Sequence, residues 1–200
     1  MSLMTHSNDP HPPAVAKAVS LRESGQLAAS LSLLHVACDE HPEDPSSWHQ
    51  LGIGYVRAGK LDYAFCCMKR AAEIAPDNVE IGSHLANLFV LRKDLEGAIE
   101  QGRKLVNLNP DSAELRLFLG NLYASRGRLD DALKLVNAAI QRTPDLAAAH
   151  LLLAHIRFSR GQLSLAQDAV SKALCLSPGD ASALQLLGRI KSAMGLGNDQ

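Results

Sequence analysis

Apolar positions along this chain return every three or four residues, the period of one face of a helix, and nowhere alternate as a strand would. The runs come in pairs. A glycine followed two residues later by leucine separates the members of a pair, as in Gly25-Gln26-Leu27, Gly59-Lys60-Leu61, Gly127-Arg128-Leu129 and Gly161-Gln162-Leu163. A proline closes each pair, and Pro42, Pro76, Pro110, Pro144 and Pro178 stand 34 residues apart. Glycine after a helix supplies the left-handed residue that ends it. Proline, lacking an amide hydrogen, stops the next one. The pattern predicts repeated pairs of helices over residues 11–44, 45–78, 79–112, 113–146 and 147–180, with a single end helix at 181–194. Residues 1–11 and 195–200 are expected to be an unstructured tail and a frayed end.

With position 1 at His11, Pro45, Val79, Ala113, Ala147 and Ala181, further columns keep register. Position 8 is small throughout: Ala18, Gly52, Ala86, Gly120, Ala154 and Gly188. Position 20 is Ser30, Ala64, Ala98, Ala132 and Ala166, and position 27 is Ala37, Ala71, Leu105, Ala139 and Ala173. Small residues in these columns let paired helices approach, while leucines and aromatics at positions 7, 11, 17 and 24 fill the remaining space. One such pair cannot bury its apolar face alone, so neighbouring pairs must stack.

These columns resemble the tetratricopeptide repeat family. Trp48, Leu51-Gly52, Tyr55, Gly59, Ala64, Ala71 and Pro76 carry the likeness in the second repeat, and Leu119-Gly120, Tyr123, Gly127, Ala132, Ala139 and Pro144 in the fourth. The resemblance spans residues 11 to 194 and implies an all-α fold, a right-handed α-solenoid of helix-turn-helix repeats with a C-terminal capping helix, forming one domain over 12–194. The chain departs from the family at Lys17, at Lys93 and Gly102 in the third repeat, and at position 11, where Arg157 and Lys191 replace an apolar residue. Lys17 reads as capping of a terminal repeat, and Arg157 and Lys191 read as snorkelling side chains, with buried stems and exposed heads.

Composition narrows the function. Twenty Lys and Arg balance 21 Asp and Glu, giving a net charge of -1, which argues against nucleic acid and an anionic membrane as partners. No apolar run approaches the roughly 20 residues of a membrane span. No secretory signal is visible at the N-terminus, and Met1-Ser2-Leu3 before Met4 reads as an expression scar. The four cysteines form no CxxC pair, which suits reduced thiols in a cytoplasmic protein. No hydrolase, metalloprotease or phosphate-loop motif occurs, and no cofactor is expected. Gly52-Ile53-Gly54 lacks the third glycine and preceding strand of a dinucleotide site. Among the histidines, His49, His84 and His155 fall on one side of first helices. Successive repeats lie about one helix diameter apart, ~10 Å, so these are expected to line a surface and not to share a metal ion.

The resemblance places positions 2, 5, 6, 9, 12 and 13 on a concave, partner-binding side. These inner columns hold His49, Gln50, Ile53 and Arg57 in the second repeat, then Glu80, His84, Asn87, Val90 and Leu91 in the third. Leu117, Phe118 and Asn121 follow in the fourth, and Leu151, Leu152, His155 and Phe158 in the fifth. Asn87 and Asn121 repeat at position 9, and an amide can pair with any peptide backbone. Similar asparagine ladders occur in the repeat arms of protein glycosyltransferases; the competing reading is solvated asparagines in a common first-helix sequence. The early columns are polar and the later ones apolar, so the C-terminal half is expected to present an apolar contact patch. The alternative is burial of that patch by the chain's own curvature or by the end helix. Capture of a C-terminal carboxylate is disfavoured, because Glu114 stands where positive charge is needed.

The sequence thus reads as a non-enzymatic scaffold holding an extended peptide or amphipathic helix of another protein. A second reading is the substrate-recognition arm of a larger glycosyl- or sulfotransferase-type enzyme. A third is self-association, as a homodimer or larger oligomer.

Overall fold

The computed structural model describes residues 13–195. Eleven α-helices and no strand occur among them. First helices occupy positions 1–13 of the register: α3 Pro45–Arg57, α5 Val79–Leu91, α7 Ala113–Ser125, α9 Ala147–Ser159 and α11 Ala181–Ala193, with α1 at Pro13–Glu23. Second helices occupy positions 17–30: α2 Leu27–Glu40, α4 Leu61–Ile74, α6 Leu95–Leu108, α8 Leu129–Arg142 and α10 Leu163–Leu176. The tail expected at 1–11, and that expected at 195–200 apart from Gly195, lie outside the described residues.

The two kinds of turn are built differently. Between the helices of a pair, the glycine takes a positive φ, from 71° at Gly59 and Gly161 to 82° at Gly25. The next amide then reaches back to the last turn of the first helix, as in Lys60 N–H to the Tyr55 carbonyl at 2.9 Å and Gln162 N–H to the Arg157 carbonyl at 3.0 Å. Lys93 fills this role in the third repeat at φ 62°, where a side chain crowds its own backbone. Between pairs, the residue before proline leaves the helical region, for example Ala75 at φ -124° and ψ 72°, as proline requires of its predecessor. Position 34 then caps the next first helix. Asp44 accepts from the Ser46 and Ser47 amides, Asn78 from Ile81, Ser112 from Leu115, and Asp180 from Ser182 and Ala183. Leu146 holds the same place without a side-chain cap.

The helices fall into two compact units, residues up to Asp94 and residues from Leu95 onward. The division lies between the two helices of the third repeat, in a range expected as one domain. In unit 1, α1 to α5 enclose Val15, Leu34, Leu51, Met68 and Leu88, with Tyr55 and Ile81 alongside. In unit 2, Ala154, Ala166, Val170, Ala183, Leu186 and Ile190 form a core under α9, α10 and α11. The columns at positions 20 and 27 are buried in all five repeats. Position 8 is buried in five repeats and open at Gly188, where an added Cβ would meet nothing within 4 Å. The departures at positions 11 and 24 also have a physical account. Arg157 is half-buried and donates to the Gln162 amide oxygen at 2.7 Å, while Lys191 is exposed. Gly102 is buried, and a Cβ there would stand 3.2 Å from Leu119 Cδ1, so no bulky residue fits.

A charge ladder keeps the same register. Position 14 pairs with position 18 of the preceding repeat in Arg92–Asp62, Arg126–Glu96 and Arg160–Asp130. The acids are well exposed, and each such pair contributes at most about 1 kcal/mol. No described helix is long and apolar enough to cross a membrane.

Candidate functional site

The inner columns of unit 1 come from α3 and α5. Position 5 of α3 and position 6 of α5 meet: His49 Nε2 lies 2.6 Å from His84 Nδ1, with the rings stacked at a centroid distance of 4.9 Å. This corrects the expectation that successive repeats hold these histidines too far apart to meet. Helix axes are about 10 Å apart, but two imidazoles reaching toward each other span that gap. His49 is buried, at 5% exposure, and His84 is half-buried. Glu80 joins them: its carboxylate and the two imidazole nitrogens lie within 4.8 Å of one another. Glu80 and His84 are four residues apart on α5, which sets them on one face of that helix.

Beside this cluster is a cleft of about 160 Å³. Met68 and Leu88, both almost fully buried, form its apolar floor. Ile53, Val56, His84, Asn87 and Leu91 line it. Val56 and neighbouring Val90 are 37% exposed and Leu91 is 55% exposed, so an apolar rim faces solvent. Asn87 is exposed at its edge, and its amide makes no hydrogen bond among the described residues. At the other end of the unit Arg22 is buried and donates to the Gln50 carbonyl and Oε1 at 3.3 and 2.8 Å. Desolvation, then repulsion from Arg57, lowers the Arg22 pKa. Arg57 is itself exposed.

The inner columns of unit 2 are closed by packing. Leu117 and Leu152 are buried, at 9% and 7% exposure. A Cβ at Gly120 would stand 3.6 Å from Leu152 Cδ2, so Leu152 uses the notch left by the small residue at position 8 of the repeat before it. Phe118 is half-buried over Gly102, at 3.6 Å from the place of its missing Cβ. Leu151 and Phe158 pack against the unit 2 core, and Arg189 of the end helix lies 4.9 Å from the Phe158 ring centroid. The apolar patch expected in this half is therefore largely consumed within the unit. Asn121 is exposed but donates its Nδ2 to the Leu117 carbonyl, 3.1 Å away on the preceding turn. His155 faces solvent; partial desolvation and then Arg189 lower its pKa.

All four cysteines are free thiols, with Cys38 and Cys67 buried and Cys66 and Cys175 exposed. Burial pushes the Cys38 thiol up to about 12 and the Cys67 thiol to about 11, so both stay protonated at neutral pH.

The tetratricopeptide repeat family model matches residues 90–156. No curated protein sequence matches the chain. Among solved structures, a tetratricopeptide repeat protein from Parabacteroides merdae superposes with a TM-score of 0.83 at 20% identity, covering 92% of this chain and 73% of that one. YrrB, a TPR protein with an unusual peptide-binding site, gives a TM-score of 0.75 at 21% identity, over 86% of this chain and 89% of its own. MamA gives 0.74 at 20% identity, over 82% and 96%. These likenesses establish the fold.

Proposed function

Because the chain is a tetratricopeptide repeat protein, a fold whose members are in general protein-interaction scaffolds, we propose that it is a non-catalytic module holding an extended segment of a partner protein. The segment lies on the inner columns of unit 1. The observation that carries this is the apolar cleft with an uncommitted amide at its edge. Val56, Val90 and Leu91 supply exposed apolar surface, and Asn87 offers two donors and an acceptor to a peptide backbone. The likeness to YrrB, itself described as peptide-binding, is consistent with such an occupant.

The test begins with a peptide selected from a displayed random library on the wild-type chain. Its affinity is then measured by fluorescence anisotropy for three variants. Leu91→Glu should weaken binding at least about tenfold, because a carboxylate in the cleft leaves a charge to be desolvated. Asn87→Ala should weaken it less. Leu184→Glu, on the exposed side of α11, should leave it unchanged. Equal affinity of wild type and Leu91→Glu would place the occupant elsewhere. Light scattering at two protein concentrations separates this reading from self-association.

A further inference from the structure

We propose that His49, Glu80 and His84 form a binding site for a divalent transition-metal ion of the zinc type. This inference stands apart from peptide binding: of the three ligands only His84 also lines the cleft. Two imidazoles and one carboxylate are a donor set suited to zinc and its neighbours, and three protein ligands leave a coordination position for water. The geometry brings the donors together from two repeats. Glu80 and His84 occupy one face of α5 a turn apart, and His49 reaches across from α3. All three donor atoms lie within 4.8 Å of one another, so side-chain rotation brings them to the separation of about 3.3 Å that bonds of about 2 Å to one tetrahedral ion require.

The ring placement supports the same conclusion. His49 Nε2 and His84 Nδ1 face each other at 2.6 Å, sharing one hydrogen. Two imidazole nitrogens on one tetrahedral ion stand about 3.3 Å apart, given metal–nitrogen bonds of about 2 Å. Loading the site therefore opens the pair by less than about 1 Å, within the reach of side-chain rotation. The shared hydrogen moves to the far nitrogen of its own ring, so a neutral pair binds the ion without net proton loss. His49 is buried, which limits the positions it can take and lowers the ordering cost of coordination. Glu80 is exposed, so the ion has a path from solvent and a negative charge to meet it there.

The experiment uses the full, untagged chain carrying Cys66→Ser and Cys175→Ser, which removes the two exposed thiols as competing zinc ligands. Zinc affinity is measured by competition with a chromophoric chelator, and helicity by circular dichroism. The expected result is one saturable zinc per chain. Glu80→Gln and His84→Ala should each weaken it at least about tenfold while helicity is kept. His150→Ala should bind as the parent does, since His150 contacts the Pro144 carbonyl and none of the three ligands. If His84→Ala unfolds, the exposed Glu80→Gln variant carries the test. No stoichiometric zinc, or unchanged affinity in Glu80→Gln, overturns the proposal and leaves the histidine pair as polar packing.

Discussion

Unit 1 and unit 2 use the same columns of the register for different ends. At position 6, His84 of unit 1 is half-buried beside a cleft and against another histidine, whereas Leu152 of unit 2 is buried over Gly120. At position 9 both units present an exposed asparagine. Asn87 keeps its amide uncommitted, while Asn121 spends its donor on the carbonyl four residues back. At position 12, Val90 is open to solvent and Phe158 lies beneath Arg189. Repetition of a column therefore fixes where a side chain starts and not whether it remains available. The deciding factor is the neighbour: a leucine drops into the notch of a small residue, while a histidine stays up to meet another polar group.

The sharpest way to break this comparison is to charge one apolar residue in each unit. Leu152→Glu buries a carboxylate with no partner and is expected to cost about 3 kcal/mol or more in urea denaturation. Leu91→Glu, at an exposed site, should stay within about 0.5 kcal/mol of wild type. Similar losses for both would mean that Leu91 is as much a packing residue as Leu152.

A smaller effect is expected where the two units divide. Lys93 holds the left-handed conformation that glycine takes in the other repeats, directly before the division after Asp94. Lys93→Gly should stabilise the chain by about 1 kcal/mol, read as a rise in melting temperature. Gly127→Lys, the reverse change in unit 2, should cost a similar amount. If neither variant moves, the turn is relaxed in both units.

The smallest effect concerns His155. Its pKa in the folded chain lies below the ordinary value of 6.5, through partial desolvation and the charge of Arg189. The unfolded chain therefore takes up the proton first as pH falls. Stability contributed by neutral His155 is present above pH 6.5 and declines as pH falls toward the folded pKa. His155→Gln should flatten that decline slightly in denaturation series between pH 7.5 and about 5. Arg189→Gln should flatten it in part, because the charge is the lesser of the two causes.

The fold was legible because it depends on local chemistry repeated in register. Prolines, turn glycines and small residues at positions 8, 20 and 27 each act within one pair or on its neighbour, and their spacing alone yields the paired-helix period. The capping column at position 34 and the charge ladder at positions 14 and 18 were equally open to reading, since Asp44, Asn78, Ser112 and Asp180, and the Arg–acid pairs, stand in strict register. Individual inner-column residues were less legible. Counting helix diameters kept His49 and His84 apart, because the argument measured axes and left out the reach of two facing rings. The resemblance gave Leu117 and Leu152 to the partner-binding side by their columns alone, whereas exposure depends on whether a neighbouring repeat leaves a notch.

What the sequence determined by itself is the helical repeat, its period and its turns. These follow from turn residues and period, which act over a few residues of chain. What only the tertiary structure decided is which of the repeated side chains remain free. A 2.6 Å contact between His49 and His84, 35 positions apart, and the burial of Leu152 over Gly120 are both set by how neighbouring repeats lean together. Shifts of an ångström in that packing separate a filled notch from an open cleft, and no periodicity in the sequence encodes distances that small.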